Sequence, residues 1–592
     1  MKRHIQIYGV AVSAALLSAC GGGSSSDDAP VPPPTLSCDD SIKEHFKPDA
    51  LTTVVQVKSF AAGSEIVAAS ARGPATIAEA DVCLVKLNVG PGNPGPQGAP
   101  STSPGIGIEV WLPARDKWNE RFRAMGGGGW AGGTHGVFDT IGDANAGATA
   151  AKYSEVTAST DTGHSVGNGS FAMLPDGTIN TTLWKDFAER SLHETAVKGK
   201  ALAQAFYGKA PRYSYWVGAS TGGRQGLNLA LNNPTDFDGI LAGYPANNWS
   251  RFITTELYPQ VVIQRDLNGQ NLSNAQLDAV SNAAIKACGN VGGVNLGYIP
   301  DPESCAYDPT TDLDVICAAN GGNNATAACV TPIQAQAFNK FWYGQTSDGS
   351  VPSPSADNGM KATLGPDQKW YGLTRGSTLT ALAGAQPFAI AADQVALELQ
   401  DPTISGTWFQ NATGNGQDGW KALSYQRLAD AHDRGVQLQA QFGNINTDNP
   451  DLSAFKNSGG KILSYYGLAD QLIPPQGTLH YYRRVTEQLG GLNNTQDFYR
   501  LYFIPGMGHG LYNGTSNPLA NPPLPTMDQL YTMLTDWVEK GQAPGERVVI
   551  STQATSQFPD VKSRPMCLHP LKARYVGQGN PNVESSYDCA VH

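Results

Sequence analysis

Short apolar runs alternate with longer amphipathic stretches in two separated parts of the chain. Between residues 46 and 245, β-branched or aromatic runs predict strands, and longer stretches predict helices; the strands are 107–112, 121–125, 213–217 and 239–242, and the helices are 184–207 and 223–231. The alternation returns later, with strands at 461–466 and 500–504 and helices at 477–489 and 526–540. This rhythm is typical of parallel sheets covered by helices. The two parts are therefore predicted to form one α/β core.

The alternation of predicted strands and helices stops between residues 246 and 440, where Gly, Asn, Pro and Thr are frequent. Helices are still predicted at 274–287 and 332–342, but no regular series of strands accompanies them. We interpret residues 246–440 as a lid domain inserted into the core. The core then comprises residues 46–245 and 441–592.

The composition indicates a loop-rich globular protein. The 592 residues include 67 Gly and 39 Pro; 40% are hydrophobic and only 15% are charged. These proportions argue against a coiled coil or a disordered chain. The net charge is −11, so the electrostatic attraction that supports nucleic-acid binding is missing. Nucleic acids are therefore not expected as partners.

The N-terminus has the pattern of an export signal. Two basic residues precede an apolar stretch, residues 5–17, that is too short to span a bilayer as a mature helix. We predict a signal peptide over residues 1–19. The run Leu17-Ser18-Ala19-Cys20 resembles the lipobox of bacterial lipoproteins, in which the cysteine is acylated. An ordinary signal peptide that merely contains a cysteine is the alternative.

The segment that follows suits a tether. Residues 20–45 contain the run GGGSSSDDAPVPPPT, whose composition is typical of flexible linkers. Gly21 rather than Asp follows Cys20, which in lipoproteins favours the outer membrane. We expect an exported protein, either an outer-membrane lipoprotein or a periplasmic or extracellular one. Its only membrane contact would be a lipid anchor at Cys20.

The other eight cysteines predict disulfide bonds, because an even number in an exported chain is typical of a disulfide framework. They are Cys38, Cys83, Cys288, Cys305, Cys317, Cys329, Cys567 and Cys589. On the order of 100 pairings are possible. Short separations favour Cys288–Cys305, Cys317–Cys329 and Cys567–Cys589, which leaves Cys38–Cys83. Metal binding by cysteines is the alternative, and the lack of a C-x-x-C pair argues against it.

The strongest signal for chemistry is a strand that runs into a G-x-S-x-G turn and then a helix. Residues 215–223 read YWVGASTGG, with Ser220 at the centre of the motif. This is the pattern of a nucleophile elbow, in which glycines allow a sharp turn that exposes the serine hydroxyl. A Gly-rich structural turn is the alternative. We predict that Ser220 is a nucleophile.

A serine hydroxyl needs a base, and the base needs an orienting group. In α/β-hydrolases these residues follow one another in the order Ser, acid, His. Asp470 comes just after one predicted strand of the second core segment, and His509 comes just after the next. We predict a triad of Ser220, Asp470 and His509.

Two other residues compete for these roles. His164 follows an apolar run in a Gly-His pair, and Asp433 lies in the run His-Asp-Arg at 432–434. Chain order favours His509 as the base, so we interpret His164 as a structural support of the site. We interpret Asp433 as part of a solvated helix face.

The predicted mechanism also requires two N–H donors for an oxyanion. One is the amide of Thr221, directly after the nucleophile. The other is assigned to Gly129 in the Gly-rich loop 125–130, which follows an early predicted strand. A phosphate-binding loop is the alternative, but the loop contains no lysine and no G-x-x-x-x-G-K-[ST] motif.

Together these motifs resemble the tannase and feruloyl esterase family. The resemblance rests on G-A-S-T-G-G-R-Q-G around Ser220, G-L-A-D ending at Asp470, P-G-M-G-H ending at His509 and R-P-M-C-L-H-P around Cys567, and it covers residues 38–592. It implies an α/β-hydrolase core with a large inserted lid. It also implies a serine hydrolase acting on small esters of aromatic acids, of the feruloyl, galloyl or terephthalate half-ester type, through an acyl-enzyme. Ser220, Asp470, His509, Gly129 and Thr221 take the roles given above.

The sequence gives weaker indications about two substrate-binding candidates and about alternative functions. Trp130 is a candidate either for lining the acyl pocket or for packing, and Arg375 in the stretch 370–376 either faces the cleft or braces the lid. An esterase for aliphatic or polyester oligomers is the alternative function for the same predicted catalytic residues. A lipid-anchored binding protein without catalysis is the alternative from another class.

The chain departs from the family pattern at two places. The family usually has cysteines before the serine and after the histidine, which join the two catalytic loops; Ala219 and Gly510 stand there in this chain. The family also places three calcium-binding aspartates in a lid loop, at the positions of Gly289, Gly292 and Leu296. Calcium needs several oxygen ligands, above all carboxylates. We therefore expect no bridge between the catalytic loops, no metal and no other cofactor.

Overall fold

The computed structural model describes residues 36–70 and 73–591. The predicted signal peptide and the acylation site at Cys20 lie outside these residues. Within them, the folded part begins earlier than predicted. Cys38 is bonded to Cys83, and Ile42 of the helix Ser41–His45 is fully buried. The segment from Cys38 onward is therefore part of the folded unit, and the tether boundary predicted at residue 45 is wrong.

One nine-stranded sheet forms the centre of the molecule. Its strands in chain order are β1 Thr52–Phe60, β2 Val82–Val89, β3 Ile106–Pro113, β4 Arg121–Met125, β5 Val156–Thr160, β6 Tyr213–Ala219, β7 Gly239–Gly243, β8 Lys461–Gly467 and β9 Tyr499–Ile504. They lie side by side in the order β1-β2-β3-β5-β4-β6-β7-β8-β9. The two separated core segments thus share one sheet, as the sequence predicts. An α/β fold results.

The sheet is mixed rather than wholly parallel, which corrects the prediction. The six strands β4 to β9 run parallel to one another. By contrast, β1 and β2, β2 and β3, and β3 and β5 pair antiparallel. Among the described residues between β1 and β3 there is no α-helix. A parallel connection needs a crossover, usually a helix, so these strands return antiparallel.

Helices cover both faces of the sheet and fill the insertion. They are α1 Ser41–His45, α2 Ala144–Tyr153, α3 Thr181–Lys185, α4 Ser191–Tyr207, α5 Thr221–Asn232, α6 Trp249–Glu256, α7 Tyr258–Asp266, α8 Asn274–Cys288, α9 Pro332–Tyr343, α10 Thr380–Ala383, α11 Ala389–Leu399, α12 Tyr425–Gln437, α13 Ser453–Asn457, α14 Pro475–Gln488, α15 Leu492–Gln496 and α16 Met527–Lys540. Five two-stranded ribbons complete the fold: Glu65–Val67 with Thr76–Ile77, Asn290–Val291 with Val294–Asn295, Met507–Gly508 with Gly510–Asn513, Arg547–Ser551 with Ser563–Cys567, and Lys572–Tyr575 with Tyr587–Ala590.

The helix predicted at 184–207 is interrupted near its start. A π-helical turn, Asp186–Arg190, separates α3 from α4. Arg224 from α5 is fully buried and donates hydrogen bonds to the carbonyls of Phe187 and Ala188 within that turn. A π turn frees carbonyls from the regular ladder, and Arg224 takes them. The interruption is thus a tertiary effect that the local pattern does not contain.

The chain between β7 and β8, residues 244–460, is called the inserted segment. It contributes no strand to the sheet and contains α6 to α13. Its apolar side chains join one buried cluster with residues of the core, among them Trp184, Tyr466 and Ile473. The inserted segment therefore packs directly on the carboxyl end of the sheet, where β6 and β8 end. Within the described part of the chain, none of the helices combines the length and apolar character that crossing a membrane requires.

The described residues contain four disulfide bonds, namely the three that short separations favour and the remaining pair. They join Cys38 to Cys83, Cys288 to Cys305, Cys317 to Cys329, and Cys567 to Cys589. Two of them lie within the inserted segment and one within the C-terminal segment. Bridges of this kind typically stabilise a fold by about 2–4 kcal/mol each.

Candidate active site

Ser220 lies in a sharp turn between β6 and α5. Its backbone φ is +58°, a value that non-glycine residues rarely adopt, and such strain is typical of a nucleophile elbow. The turn depends on close backbone contacts at two glycines. A Cβ on Gly218 would lie 2.5 Å from the carbonyl of Gly222, and one on Gly223 would lie 2.6 Å from the carbonyl oxygen of Gly243. The G-x-S-x-G-G sequence is therefore required by the geometry of this turn.

Three side chains from distant parts of the chain form one hydrogen-bonded series. His509 Nε2 is 2.9 Å from Ser220 Oγ, and His509 Nδ1 is 2.9 Å from Asp470 Oδ2. Asp470 is fully buried, and its Oδ1 also accepts hydrogen bonds from the amides of Leu472 and Ile473, both at 2.9 Å. These amides hold the carboxylate in place. The structure thus brings together the three predicted residues in the order of contacts that a serine hydrolase mechanism requires.

The predicted oxyanion donors lie beside the serine. Thr221 is the first residue of α5, so its N–H has no partner within the helix. Its Oγ1 donates a hydrogen bond of 2.7 Å to the carbonyl of Gly129 in the Gly-rich loop. Two residues earlier in that loop, the Gly127 amide donates to Oε1 of Gln225 at 3.0 Å. Gly129 and Thr221 both line the cavity at Ser220.

The two competing residues lie elsewhere. His164 is buried, stacks on Phe171 at 3.5 Å and binds the carbonyl of Trp130 through Nε2 at 2.8 Å. Burial lowers the pKa of His164 to about 4, so it is neutral and braces the Gly-rich loop. Asp433 is half exposed and pairs with Lys369 at 2.8 Å. The structure thus joins Asp470, and not Asp433, to His509.

A cavity of about 360 Å³ opens at Ser220 and His509. Its walls come from the inserted segment, from the oxyanion loop and from the loop that follows β8. Apart from Ser220, His509, Gly129 and Thr221, the lining residues are Gly128, Ala219, Tyr244, Ala246, Trp249, Phe252, Ile253, Glu256, Phe388, Ile390, Leu472 and Ile473. The cavity is mostly apolar with few polar groups, as binding sites for small organic molecules usually are.

Several of these lining residues were not singled out in the sequence. Tyr244 lies with its ring centre 4.7 Å from that of His509, and Trp249 donates a hydrogen bond to Gln394 at 3.0 Å. Burial and then the negative charge of Asp470 raise the pKa of Tyr244 to about 12. Their position in the sequence could have indicated a role in binding. Tyr244 and Trp249 closely follow the carboxyl end of a parallel strand, where ligands bind in such sheets.

The two weaker substrate-binding candidates lie away from this cavity. Trp130 is buried against Phe171, Trp184, Phe187 and Trp249 behind the Gly-rich loop. Arg375 is only 5% exposed and donates hydrogen bonds to the carbonyls of Tyr307 and Asn358 within the inserted segment. Neither residue is among those that line the cavity. The contacts match the packing alternative for Trp130 and the bracing alternative for Arg375.

Comparison with known proteins identifies the family. The family model described as tannase and feruloyl esterase matches residues 96–590. The chain belongs to this family. It is therefore a carboxylic ester hydrolase, which removes the alternative of a binding protein without catalysis.

Relatives of the esterase resemble it along most of their length. A probable feruloyl esterase of Arthroderma benhamiae is 35% identical over 492 residues, which are 82% of each chain. Feruloyl esterase B from Aspergillus oryzae has a solved structure that is 26% identical, with a TM-score of 0.71 over 93% of this chain and 100% of that one. The tannin acyl hydrolase of Aspergillus niger, at 23% identity and a TM-score of 0.68 over 94% and 95%, shows the same fold.

The esterase holds its histidine loop with side-chain hydrogen bonds. Oε1 of Gln471 accepts a hydrogen bond from the amide of His509 at 3.0 Å, and Nε2 of Gln471 donates to the hydroxyl of Tyr512 at 2.7 Å. A cysteine at Gly510 would be strained, because the backbone φ there is +149° and its Cβ would lie 2.3 Å from the Tyr512 ring. Gln471 and Tyr512 therefore hold this loop, in which Gly510 stands at the position where the resemblance predicted a cysteine.

We expect that replacing Gln471 with Ala lowers kcat about 10-fold and leaves KM within about two-fold, because losing one hydrogen bond costs about 1 kcal/mol and frees the His509 loop. Steady-state kinetics measures both constants. Tyr512→Phe is the matched control, because it keeps the bond between Gln471 and His509, and its kcat should fall less than that of Gln471→Ala. Equal effects of the two variants, or a change in KM alone, would contradict the positioning role.

We expect activity to survive mild reduction with dithiothreitol. The four bridges lie outside the Ser220 and His509 loops, so reducing them first affects regions away from the site. Activity and circular dichroism, followed together against reductant concentration, should decline together. Early loss of activity with an intact spectrum would show that a bridge is needed at the site.

The lid loop does not supply a calcium site of the family type. Gly289 and Gly292 carry no side-chain oxygen, and Leu296 is a buried apolar residue. Two carboxylates later in the loop, Asp301 and Glu303, both bind the ammonium of Lys572 at 2.8 Å. A cationic side chain thus takes these oxygens, and the donor set does not fit a hard cation.

We expect the melting temperature to be unchanged by EDTA and by added calcium, since the carboxylates of Asp301 and Glu303 in this loop are bound to Lys572. Differential scanning calorimetry of the chelated and calcium-loaded esterase measures this. A calcium-dependent rise of several degrees would refute the expectation.

Proposed function

We propose that the esterase hydrolyses esters of aromatic acids through an acyl-enzyme formed on Ser220. The observation that carries this proposal is the continuous series of hydrogen bonds from Ser220 through His509 to Asp470 at the edge of an apolar cavity. The names of the relatives, feruloyl esterase and tannin acyl hydrolase, support an aromatic acyl group. The aromatic and branched side chains of the cavity suit a flat apolar ring.

The first half of the reaction forms the acyl-enzyme. Oγ of Ser220 attacks the ester carbonyl carbon while Nε2 of His509 takes the hydroxyl proton, and Asp470 stabilises the resulting imidazolium. The amides of Gly129 and Thr221 donate to the oxyanion. When the carbon–oxygen bond to the alcohol breaks, His509 returns the proton to the leaving alkoxide, and the alcohol departs.

The second half releases the acid. A water molecule takes the place of the alcohol, and Nε2 of His509 removes one of its protons as the oxygen attacks the acyl carbon. The bond to Oγ of Ser220 then breaks, and His509 returns the proton to the serine. The products are a carboxylic acid and the free enzyme, so one water is consumed for each ester.

The test combines a substrate panel with direct detection of the intermediate. The panel contains methyl ferulate, methyl gallate, mono(2-hydroxyethyl) terephthalate and, as the aliphatic acyl control with the same leaving alcohol as the first two, methyl butyrate. We expect higher kcat/KM for aromatic acyl groups, and mass spectrometry of acid-quenched reactions should place the acyl mass on the peptide that contains Ser220. A preference for the butyrate ester would favour the reading as an aliphatic or polyester esterase. Turnover without any acylated Ser220 would refute the mechanism.

We further propose that the chain is exported and anchored through Cys20. The basic start, the apolar stretch and the run Leu-Ser-Ala-Cys support this, and so do four disulfide bonds, which persist in oxidising compartments. In bacterial cells fed labelled palmitate, we expect label in the full chain and none in Cys20→Ser. An unlabelled full chain in the soluble periplasmic fraction would instead indicate an ordinary signal peptide.

A further inference from the structure

One acidic side chain in the cavity takes no part in the mechanism. Glu256 is the last residue of α6 and lines the cavity together with Trp249, Phe252 and Ile253 of the same helix. Apart from Glu256, the described lining residues beyond the catalytic loops are apolar or are Tyr244, and none of them is Lys or Arg. Any ligand in this cavity therefore meets one carboxyl group and no side-chain cation of these types.

The carboxyl group of Glu256 is buried without the partners it needs. The residue is 3% exposed, and its Oε2 has no hydrogen-bond partner among the described residues. Glu256 also borders a second cavity of only about 10 Å³, which it shares with Tyr258 and Tyr371 and which has room for about one water. Buried polar atoms are nearly always paired, so the Glu256 carboxyl group needs a partner beyond the described residues: a water in the small cavity or a ligand group in the larger one, which Glu256 also lines.

The surroundings favour the protonated form of Glu256. Burial raises its pKa well above the usual value, and the negative charge of Asp470 adds to the effect. A protonated carboxyl group offers one O–H donor and one carbonyl acceptor. A phenol hydroxyl offers the complementary donor and acceptor. A free carboxylate on the ligand would instead require a cation, and the described lining supplies none.

We propose that Glu256 binds the ring hydroxyl of the acyl group, so that the esterase selects hydroxylated, uncharged aromatic acids over terephthalate half-esters. This inference rests on the proposed function and assigns the polar group of its acyl pocket. Glu256 binds substrate and does not touch the ester carbonyl. Selection by one buried polar group works because a substrate that lacks the matching hydroxyl leaves that group unpaired in the complex.

The test compares two substrates that differ by one hydroxyl, methyl 4-hydroxycinnamate and methyl cinnamate. The measured quantity is the ratio of their kcat/KM values within one protein preparation, which is independent of the fraction of active enzyme. We expect the ratio to favour the hydroxylated ester in the full chain and to fall about 10- to 100-fold in Glu256→Leu, as expected for a lost buried hydrogen bond. Glu256→Gln, which also donates and accepts, should keep the ratio within about five-fold.

A matched control comes from the neighbouring helix α11. Glu398 is also fully buried with a raised pKa, but it accepts hydrogen bonds from Thr254 and Gln394 and does not line the cavity. Glu398→Gln should leave the substrate ratio unchanged. A ratio that stays within about three-fold in Glu256→Leu, or that falls equally in Glu398→Gln, would overturn the assignment. If Glu256→Leu does not fold, Glu256→Met replaces it, and a ratio within about three-fold of that of the full chain would overturn the assignment in the same way.

Failure of this inference can be told apart from failure of the proposed function. Hydrolysis of p-nitrophenyl acetate requires the triad but has no ring on its acyl side. If the full chain hydrolyses neither this ester nor the cinnamates, the proposed function fails. If it hydrolyses all of them and mono(2-hydroxyethyl) terephthalate at least as well as the hydroxycinnamate, only the role of Glu256 fails.

Discussion

Replacing Ser220 with alanine should lower kcat for an aromatic methyl ester by about 10⁴-fold or more. The variant removes the only atom that the proposed mechanism acylates, and His509 then has no hydroxyl to deprotonate. The residual rate should come from the oxyanion donors and from binding. Stopped assays at high enzyme concentration measure this loss, while circular dichroism and the melting temperature should remain close to those of the unmodified chain.

Ser159→Ala serves as the matched control for this loss. Ser159 is a buried serine on β5 whose hydroxyl has no hydrogen-bond partner among the described residues. Its removal should leave kcat within about two-fold, because no stabilising contact is lost. Substantial activity in Ser220→Ala, after contamination is excluded, would end the acyl-enzyme mechanism.

Replacing Asp470 with asparagine should lower kcat about 10³- to 10⁴-fold and change KM little. Asparagine has the same shape, and its oxygen still accepts from the amides of Leu472 and Ile473 that now bind Asp470. It carries no charge to stabilise the imidazolium, and its NH₂ group facing His509 would favour the wrong tautomer. The loss is therefore expected in the chemical step and not in folding. Single-turnover kinetics separates that step from binding.

Asp433→Asn is the control that discriminates between the two candidate acids. Asp433 is half exposed and binds Lys369 and His432. An exposed ion pair of this kind contributes about 0–1 kcal/mol to stability, so the variant should keep nearly full activity. If Asp433→Asn were the inactive variant and Asp470→Asn the active one, the triad would have to be reassigned.

The nucleophile turn was predictable because its determinants are local. A strand, two tightly packed glycines and a helix start must lie within about ten residues of Ser220, and the sequence shows them as an apolar run, G-x-S-x-G and an amphipathic stretch. The same holds for Asp470 and His509, each of which follows a strand directly. The six strands that the sequence predicted agree with the structure within two residues at each end, whereas β1, β2 and β5 were not predicted.

The features that the sequence analysis did not predict depend instead on contacts between distant parts of the chain. The antiparallel edge formed by β1 to β3 depends on which neighbours the strands find, and the π turn before α4 depends on Arg224 from another helix. Glu256 has the sequence environment of an ordinary residue at a helix end. Only the closing of the inserted segment over the sheet buries it and turns it toward a cavity.

The amino-acid sequence by itself determined the family, the α/β core interrupted by an insertion, the order of the three triad residues and the favoured disulfide pairing, because each leaves a short-range pattern of glycines, apolar runs or cysteine spacing. The tertiary structure alone decided that Gln471 and Tyr512 hold the loop of His509 and that Glu256 is buried at the cavity. Those outcomes depend on contacts between residues far apart in the chain, and such contacts arise only from packing.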